Sequence, residues 1–337
     1  MSPFVTKGKP NLDLWGNPIA TAAKLDRDEL ARALLSYTRT MTLDDLVGCF
    51  ATEFNEIIEY ADLCNGGKSC KRTSLLFNPH RLDCATHKNK SIFSAFKDES
   101  FIRGLARALI WQKGSVRELF HQTIQIGING YQYVNEFPPH VARDLAIQFN
   151  LTRGSKVLDP CAGWGGRMLG FSVVVDRYVA FEPSTRTHSG LLELERFIRQ
   201  HNGTFRADVA CLPFEDAAAS LQEDSFDFAL TSPPYFDTEH YAPGEPTNSF
   251  NRYSSFGDWA LGFYAPLIHG TLRALRPGAT FVINIGSRRY PLEETAFAIC
   301  EGRYKIRRIK DRLARGGVGK GGHRKTEGGE AFLAITK

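Results

Sequence analysis

An apolar run that ends in an acid and then breaks into glycines is where residue types and spacing first suggest chemistry. Val157-Leu158-Asp159-Pro160-Cys161-Ala162-Gly163-Trp164-Gly165-Gly166-Arg167-Met168-Leu169 reads as a strand, a tight turn and the start of a helix. Glycines let the backbone approach a ligand closely. In a doubly wound sheet the ligand lies beyond the carboxyl ends of the strands, at a switch point. The spacing is not Gly-x-Gly-x-x-Gly, so a dinucleotide pyrophosphate fits poorly. Two further acids extend the pattern. Glu182 closes the next apolar run, where a carboxylate can accept hydrogen bonds from ribose hydroxyls. Asp208 closes the third, where it can accept from an adenine amino group. The fourth run leads through Thr231 straight into Ser232-Pro233-Pro234-Tyr235. Taken singly, each acid reads as a surface residue and each loop as a plain turn; three strand-terminal acids in step with one glycine-rich loop read as a nucleoside site.

The glycine-rich stretch Asp159–Gly166 together with Ser232–Tyr235 resembles the amino-methyltransferases of DNA, whose signature is Asp/Asn/Ser-Pro-Pro-Tyr/Phe/Trp. The resemblance covers roughly residues 130–337; Thr231–Asp237 with Glu239 and Tyr241 is similar to phage-borne and bacterial relatives of that group. It implies a Rossmann-like class I methyltransferase fold using S-adenosylmethionine. The implied cofactor residues are Asp159, Pro160, Cys161, Ala162, Gly163, Gly165, Glu182, Asp208 and Thr231. Ser232, Pro233, Pro234 and Tyr235 are the implied catalytic residues. An exocyclic amine on a base is a poor nucleophile, because its lone pair is delocalised into the ring. Ser232 Oγ and the Pro233 carbonyl are suited to accept its protons, two prolines stiffen the corner, and Tyr235 offers a ring for stacking. A duplex base must be flipped out first, at about a few kcal/mol. Methylation at cytosine carbon 5 is disfavoured, since the one Pro-Cys pair, Pro160-Cys161, lies in the glycine-rich loop. Serine at the first motif position leans toward N4 of cytosine over N6 of adenine. Cys161 and Trp164 depart from the family pattern, which leaves open a derivative of S-adenosylmethionine as donor, and Arg167 can pair a carboxylate.

These residues need a scaffold, and the rhythm of the chain supplies one. From about residue 155, short β-rich runs (156–159, 178–182, 204–208, 226–231, 280–286) alternate with helical patterns such as Thr187–His201 and Trp259–Leu275. That cadence predicts a mostly parallel α/β sheet with helices on both faces. Tyr304–Arg312 and Ala331–Lys337 are expected to close it as an antiparallel hairpin. Residues 1–125 read differently, with helical stripes at Leu30/Ala33/Leu34/Tyr37, at Leu46/Phe50/Phe54/Ile57 after a Thr42 cap, and at Ile102/Leu105/Ala106/Leu109. Cys64–Lys90 reads as polar loop. The expected division is therefore a helical accessory region, 1–125, and a methyltransferase domain, 126–337.

The chain of 337 residues carries a net charge of only +5, too little to indicate nucleic acid by itself. The distribution is more telling, because Glu301–Lys325 holds ten Lys/Arg against two acids. Its glycines leave Arg315, Lys320, Arg324 and Lys325 free to meet phosphates, unless the run is simply a solvated edge. Glu239, Tyr241, Asn248 and Tyr253, in the loop 236–256 expected to fold over the base, are candidate base readers. No target-recognition domain follows that loop, so sequence selection falls by elimination to residues 1–125 and the basic run. Arg72, His80, Arg81, Lys88 and Lys90 can also touch phosphates. Cys64, Cys70, Cys84 and His87 form a conceivable Cys₃His zinc set, although free thiols fit the spacing better. Seven scattered cysteines suit a reducing compartment, and no run is apolar enough for a membrane span. The expected setting is the cytoplasm of a bacterial or phage-infected cell, with DNA as partner. RNA or a protein amide as substrate, and a binding module without turnover, stay open.

Overall fold

The computed structural model describes residues 26–54, 73–109, 115–120, 134, 136–242, 244–286, 289–309 and 331–337. The chain forms two compact units, Met1–Asn55 with Lys88–Tyr133, and Glu56–His87 with Val134–Lys337. The division expected near residue 125 therefore misplaces a segment. Of the stretch read from sequence as polar loop, the described residues 73–87 belong to the α/β unit.

The first unit is helical. Its described helices include Arg27–Arg39, Leu43–Phe54 and Glu99–Leu109. Asp26 and Glu29 form a reciprocal capping box at the first of them. Leu30, Leu34, Ile102, Ala106 and Phe120 are fully or almost fully buried, as the 3.6-residue apolar stripes require.

The second unit is built on a seven-stranded sheet. Its strands are β1 (Lys156–Asp159), β2 (Arg177–Phe181), β3 (Arg206–Ala210), β4 (Phe226–Thr231), β5 (Leu275–Ile285), β6 (Lys305–Arg308) and β7 (Ala331–Thr336), in the order β3-β2-β1-β4-β5-β7-β6. The first five are parallel, and β7 runs antiparallel to both β5 and β6. This is the doubly wound Rossmann-like sheet with a closing hairpin that the alternation predicts. Side chains alternate across it. Phe228 and Leu230 join Val157, Tyr178, Leu191 and Leu194 on one face, under helices α1 (Pro139–Gln148), α2 (Gly166–Phe171) and α3 (Thr185–His201). Ala229, Phe281 and Ile283 meet Trp259, Leu267 and Leu272 on the other, under α4 (Ala265–Ala274) and α5 (Leu292–Cys300). The order reverses between β1 and β4, which places the switch point at the two loops singled out in the sequence.

Two boundaries differ from expectation with consequences. Strand β3 runs to Ala210, so Asp208 lies inside it, paired in register with Val179, and is exposed on the edge strand. The helix expected over Trp259–Leu275 is interrupted by a π-helical turn, Ala260–Tyr264, and stops one residue earlier, at Ala274. No described helix is long and apolar enough to cross a membrane.

Candidate active site

Asp159 ends β1 with its side chain fully buried. Oδ2 accepts from Arg167 Nε at 2.7 Å and from the Tyr178 hydroxyl at 2.6 Å. Oδ1 accepts from Thr231 Oγ1 at 2.9 Å and from the Cys161 N–H at 3.3 Å. Its acceptor positions are thus engaged by the protein, and Asp159 braces the glycine-rich loop. Arg167, considered from sequence as a partner for a ligand carboxylate, is instead the counter-ion of Asp159 and also donates to the Cys161 carbonyl.

Thr231 joins the two loops of the switch point. Its hydroxyl donates to Asp159 and accepts from the Cys161 N–H at 3.2 Å. The last residue of β4 is therefore stitched to the glycine-rich loop, and the Ser-Pro-Pro-Tyr corner starts at the next residue. Burial of Cys161 beside Asp159 pushes its thiol well above the usual range, so it remains protonated. Gly163 and Gly165 have φ of +58° and +94°, values that suit glycine. A Cβ on Gly163 would make only ordinary contacts, 3.8 Å from Arg167 and 3.9 Å from the Cys161 carbonyl, so there the backbone angle and not crowding calls for glycine. On Gly165 it would press into Leu191 and Leu194 of α3, so this glycine serves packing.

Glu182 follows β2 directly. One carboxylate oxygen accepts from Gly163 N–H at 3.1 Å and the other from Ser184 N–H at 3.0 Å. Burial raises its pKa to about 7, against the lowering effect of those two bonds. Each oxygen keeps a further lone pair. A glycine backbone beside a carboxylate with spare acceptor capacity fits the vicinal hydroxyls of a ribose. Pro160 and Ala162 line the same loop, Ala162 donating its N–H to the Phe181 carbonyl at 2.8 Å.

In the acceptor corner, Pro233 is buried while Ser232, Pro234 and Tyr235 are half-buried. The Tyr235 hydroxyl lies 3.5 Å from Ser232 Oγ and donates to the carbonyl of Asn284 near the end of β5 at 3.4 Å. Thr238 closes the turn by donating its hydroxyl to the Tyr235 carbonyl at 2.8 Å.

The loop after this corner is anchored on the segment that follows β2. Glu245 accepts from the Ser184 and Thr185 hydroxyls and the Thr185 N–H, and Thr247 donates to the Pro183 carbonyl. Glu239–His240 pairs antiparallel with Ala85–Thr86. The expected base readers are accordingly engaged elsewhere. Tyr253 donates to the Gly262 carbonyl at 2.7 Å and lies against Glu215, Tyr241 bonds Glu239 and sets its ring 5.9 Å from Trp164, and Asn248 is buried.

Residues missed in the sequence, Asn78 and Glu136, and two read there as phosphate contacts, His80 and Arg81, surround the glycine-rich loop. Asn78 donates to the Trp164 carbonyl at 3.2 Å, and His80 meets Thr187 at 3.0 Å with its ring edge-on to Trp164. Burial lowers the His80 pKa to about 4. Buried Glu136 accepts from Gly166 N–H at 3.1 Å, from Arg81 at 2.8 Å and from Ser74. His80 and Arg81 are thus interior, not phosphate contacts. Their one legible signal was the Asn-Pro-His run, whose partners lie more than eighty residues away in sequence. Cys84 is buried and donates to the His80 and Tyr241 carbonyls, and His87 Nδ1 meets the Thr238 carbonyl. Burial pushes the Cys84 thiol up to about 12. Cys64, Cys70, Arg72, Arg315, Lys320, Arg324 and Lys325 lie outside the described residues, among which no cluster of metal-binding side chains occurs.

No family model matches the chain. Over 105 residues it is 31% identical to the release factor glutamine methyltransferase of Caulobacter vibrioides, a stretch covering 30% of this chain and 36% of that protein. The chain thus spans about a third of that relative's length. Similar solved structures include an rRNA methylase from Streptococcus thermophilus (12% identity, TM-score 0.38, covering 60% of this chain and 97% of the other). The tRNA (m1A58) methyltransferase TrmI of Aquifex aeolicus gives 13%, 0.39, 62% and 73%, and TrmN of Thermus thermophilus 14%, 0.39, 60% and 49%. Strand order, switch point and closing hairpin make the fold of this chain the Rossmann-like one that its resemblance to class I methyltransferases leads one to expect.

Proposed function

We propose that this chain transfers a methyl group from S-adenosylmethionine to a conjugated amine nitrogen, that of a nucleobase in DNA. The observation that carries this reading is the Thr231 hydroxyl, which ties the glycine-rich loop to the residue before Ser232. Gly163 and Glu182 would hold the cofactor's ribose, and the cofactor when bound supplies an electrophilic methyl group. Ser232 Oγ and the Pro233 carbonyl accept hydrogen bonds from the amine, drawing its lone pair out of conjugation. The rigid Pro-Pro corner keeps those acceptors in place before the substrate arrives, so less ordering is needed at the moment of reaction. Tyr235, tethered by its hydroxyl to Asn284, presents its ring as a fixed stacking surface.

A second reading rests on the similarity to a release factor glutamine methyltransferase. A glutamine amide is also a conjugated amine, so the same corner suits it, and RNA bases share that chemistry. The basic run Arg303–Lys325 favours a polyanion. The test is incubation with methyl-labelled S-adenosylmethionine and, separately, genomic DNA, total RNA and a bacterial release factor, followed by mass spectrometry of nucleosides and peptides. Label on N4 of cytosine or N6 of adenine in DNA supports the reading, and label on glutamine alone replaces it. Cofactor binding without transfer to any of the three would leave a binding module. Ser232→Ala and Tyr235→Ala should each abolish transfer while leaving cofactor affinity within about twofold.

A further inference from the structure

The turn that follows the Ser232–Tyr235 corner is held in an unusual conformation by residues from the segment after β5 and from the helix Phe256–Trp259. Phe236 has φ of +55°, in the left-handed region that bulky side chains rarely occupy, and it is buried. Its ring sits edge-on to Tyr290 at 5.4 Å and tilted against Trp259 at 6.4 Å. The next residue, Asp237, reaches the segment leaving β5 with both carboxylate oxygens. Oδ1 accepts from the Tyr290 hydroxyl at 2.7 Å, and Oδ2 meets the Arg289 guanidinium at 2.9 Å. Tyr290 is itself stacked on Phe256 at 4.8 Å with the planes 9° apart.

We propose that Asp237, Arg289 and Tyr290 form a latch between β4 and β5 that positions the Ser232–Tyr235 corner for transfer. They are positioning residues, and the assignment rests on the function proposed above. The argument is geometric. A left-handed bulky residue persists only where its surroundings over-determine it. Here the surroundings are the aromatic slot around Phe236 and the two-handed grip on Asp237. Tyr235 precedes that turn directly; its hydroxyl is fixed by the Asn284 carbonyl, and its own carbonyl accepts from Thr238 within the turn. Releasing Asp237 frees the backbone of 236–238, and through it the carbonyl and ring of Tyr235, while the Thr231 stitch and Glu182 remain. The latch therefore acts on the acceptor side and leaves cofactor binding alone.

The test uses the full-length chain with Tyr290→Phe, which removes one hydroxyl and keeps the stack, with Asp237→Asn, and with the double variant. With the acceptor identified by the labelling experiment, kcat should fall about tenfold in Tyr290→Phe, the loss expected for a hydrogen bond to a charged group. Affinity for S-adenosylmethionine should stay within twofold, and the double variant should be no worse than Asp237→Asn. A merely structural role predicts a lower melting temperature with kcat unchanged per folded molecule, which overturns the latch. A loss confined to cofactor affinity overturns it too. Hydrogen exchange of the same variants reads the latch without turnover, so failure of the methyltransferase reading does not mask it. Amides of 236–238 should exchange faster in Tyr290→Phe while those of 156–182 keep their wild-type protection. Unchanged exchange at 236–238 overturns the proposal.

Discussion

Replacing Thr231 by valine is the sharpest perturbation of the site. Valine keeps the shape and the two branches of threonine but loses the hydroxyl, and the position has no solvent exposure to compensate. Two hydrogen bonds go. The one donated to the Asp159 carboxylate at 2.9 Å is charge-assisted, worth about 1.5–3 kcal/mol. The one accepted from Cys161 N–H is only partly lost, because that group keeps Asp159 Oδ1 at 3.3 Å, and costs about 0.5–1 kcal/mol. Thr231→Val should therefore lower the unfolding free energy by roughly 2–4 kcal/mol. It should also weaken S-adenosylmethionine binding about tenfold, since the loop carrying Gly163 loses its tie to β4. Thr231→Ser is the matched control. It keeps the hydroxyl, drops one buried methyl, and should cost about 1 kcal/mol with affinity unchanged. Urea unfolding and titration calorimetry on the two variants read both quantities. If Thr231→Val matches Thr231→Ser in affinity, the hydroxyl is not what joins the loops functionally, and the reasoning from that stitch fails.

Glu182 makes the site sensitive to pH. With its pKa raised to about 7, its contribution to stability is fully present below about 4.5, the ordinary carboxylate value, and is lost as pH rises through 7. The ionised form accepts ribose hydroxyls better, so cofactor affinity should climb between pH 6 and 8. Glu245, which raises the value, and Arg167, which lowers it, are the charged groups coupled to it. Calorimetry on Glu182→Gln should show a flat profile; a flat wild-type profile refutes the assignment. Asp208→Ala should leave cofactor affinity within about twofold, because an exposed residue inside the edge strand adds little; a tenfold loss would restore it as an adenine ligand. Gly190→Ala puts a methyl against the Phe77 carbonyl and the Asn78 side chain. It should cost about 1–3 kcal/mol by overpacking and expose 73–87 to proteolysis. Unaltered cleavage would show that segment to be held by other contacts.

Much of this was legible in the sequence because the signals were local. A parallel strand buried on both faces reads as a short apolar run, and a strand–turn–helix at a switch point needs glycine where φ is positive, as at Gly163 and Gly165. Glu182 and the Ser-Pro-Pro-Tyr corner stand at strand ends, where the loop geometry follows from the strands themselves. Strand β3 shows the limit of this reading. An edge strand has one neighbour, so its apolar signature is weak, and Arg206-Ala-Asp-Val-Ala is at best half-buried throughout. Nothing local marks its end, and the two-residue shift moves Asp208 from the rim of the site into the strand.

What stayed hidden was the set of buried polar residues whose partners are distant in the chain. Arg81, Asn78, His80 and Glu136 look like solvent-facing residues in sequence, since isolated polar side chains are costly to bury. They are buried because each has a partner ready. Arg81 meets Glu136, fifty-five residues away, and Glu136 in turn caps Gly166 N–H, the N-terminal end of α2. A carboxylate at a helix N-terminus is stabilised by the free N–H groups there, and Arg81 offsets the charge left over. Removing either member alone strands the other, a loss of about 3–5 kcal/mol where the exchange of both for apolar residues would cost far less. The same logic governs Asp159, the most recognisable acid of the sequence, whose carboxylate is held by Arg167, Tyr178, Thr231 and the Cys161 N–H. A carboxylate that four donors already hold has little acceptor capacity left, whereas Glu182 accepts only from the Gly163 and Ser184 N–H groups, which is why the proposed ribose contact rests on Glu182 and not on Asp159.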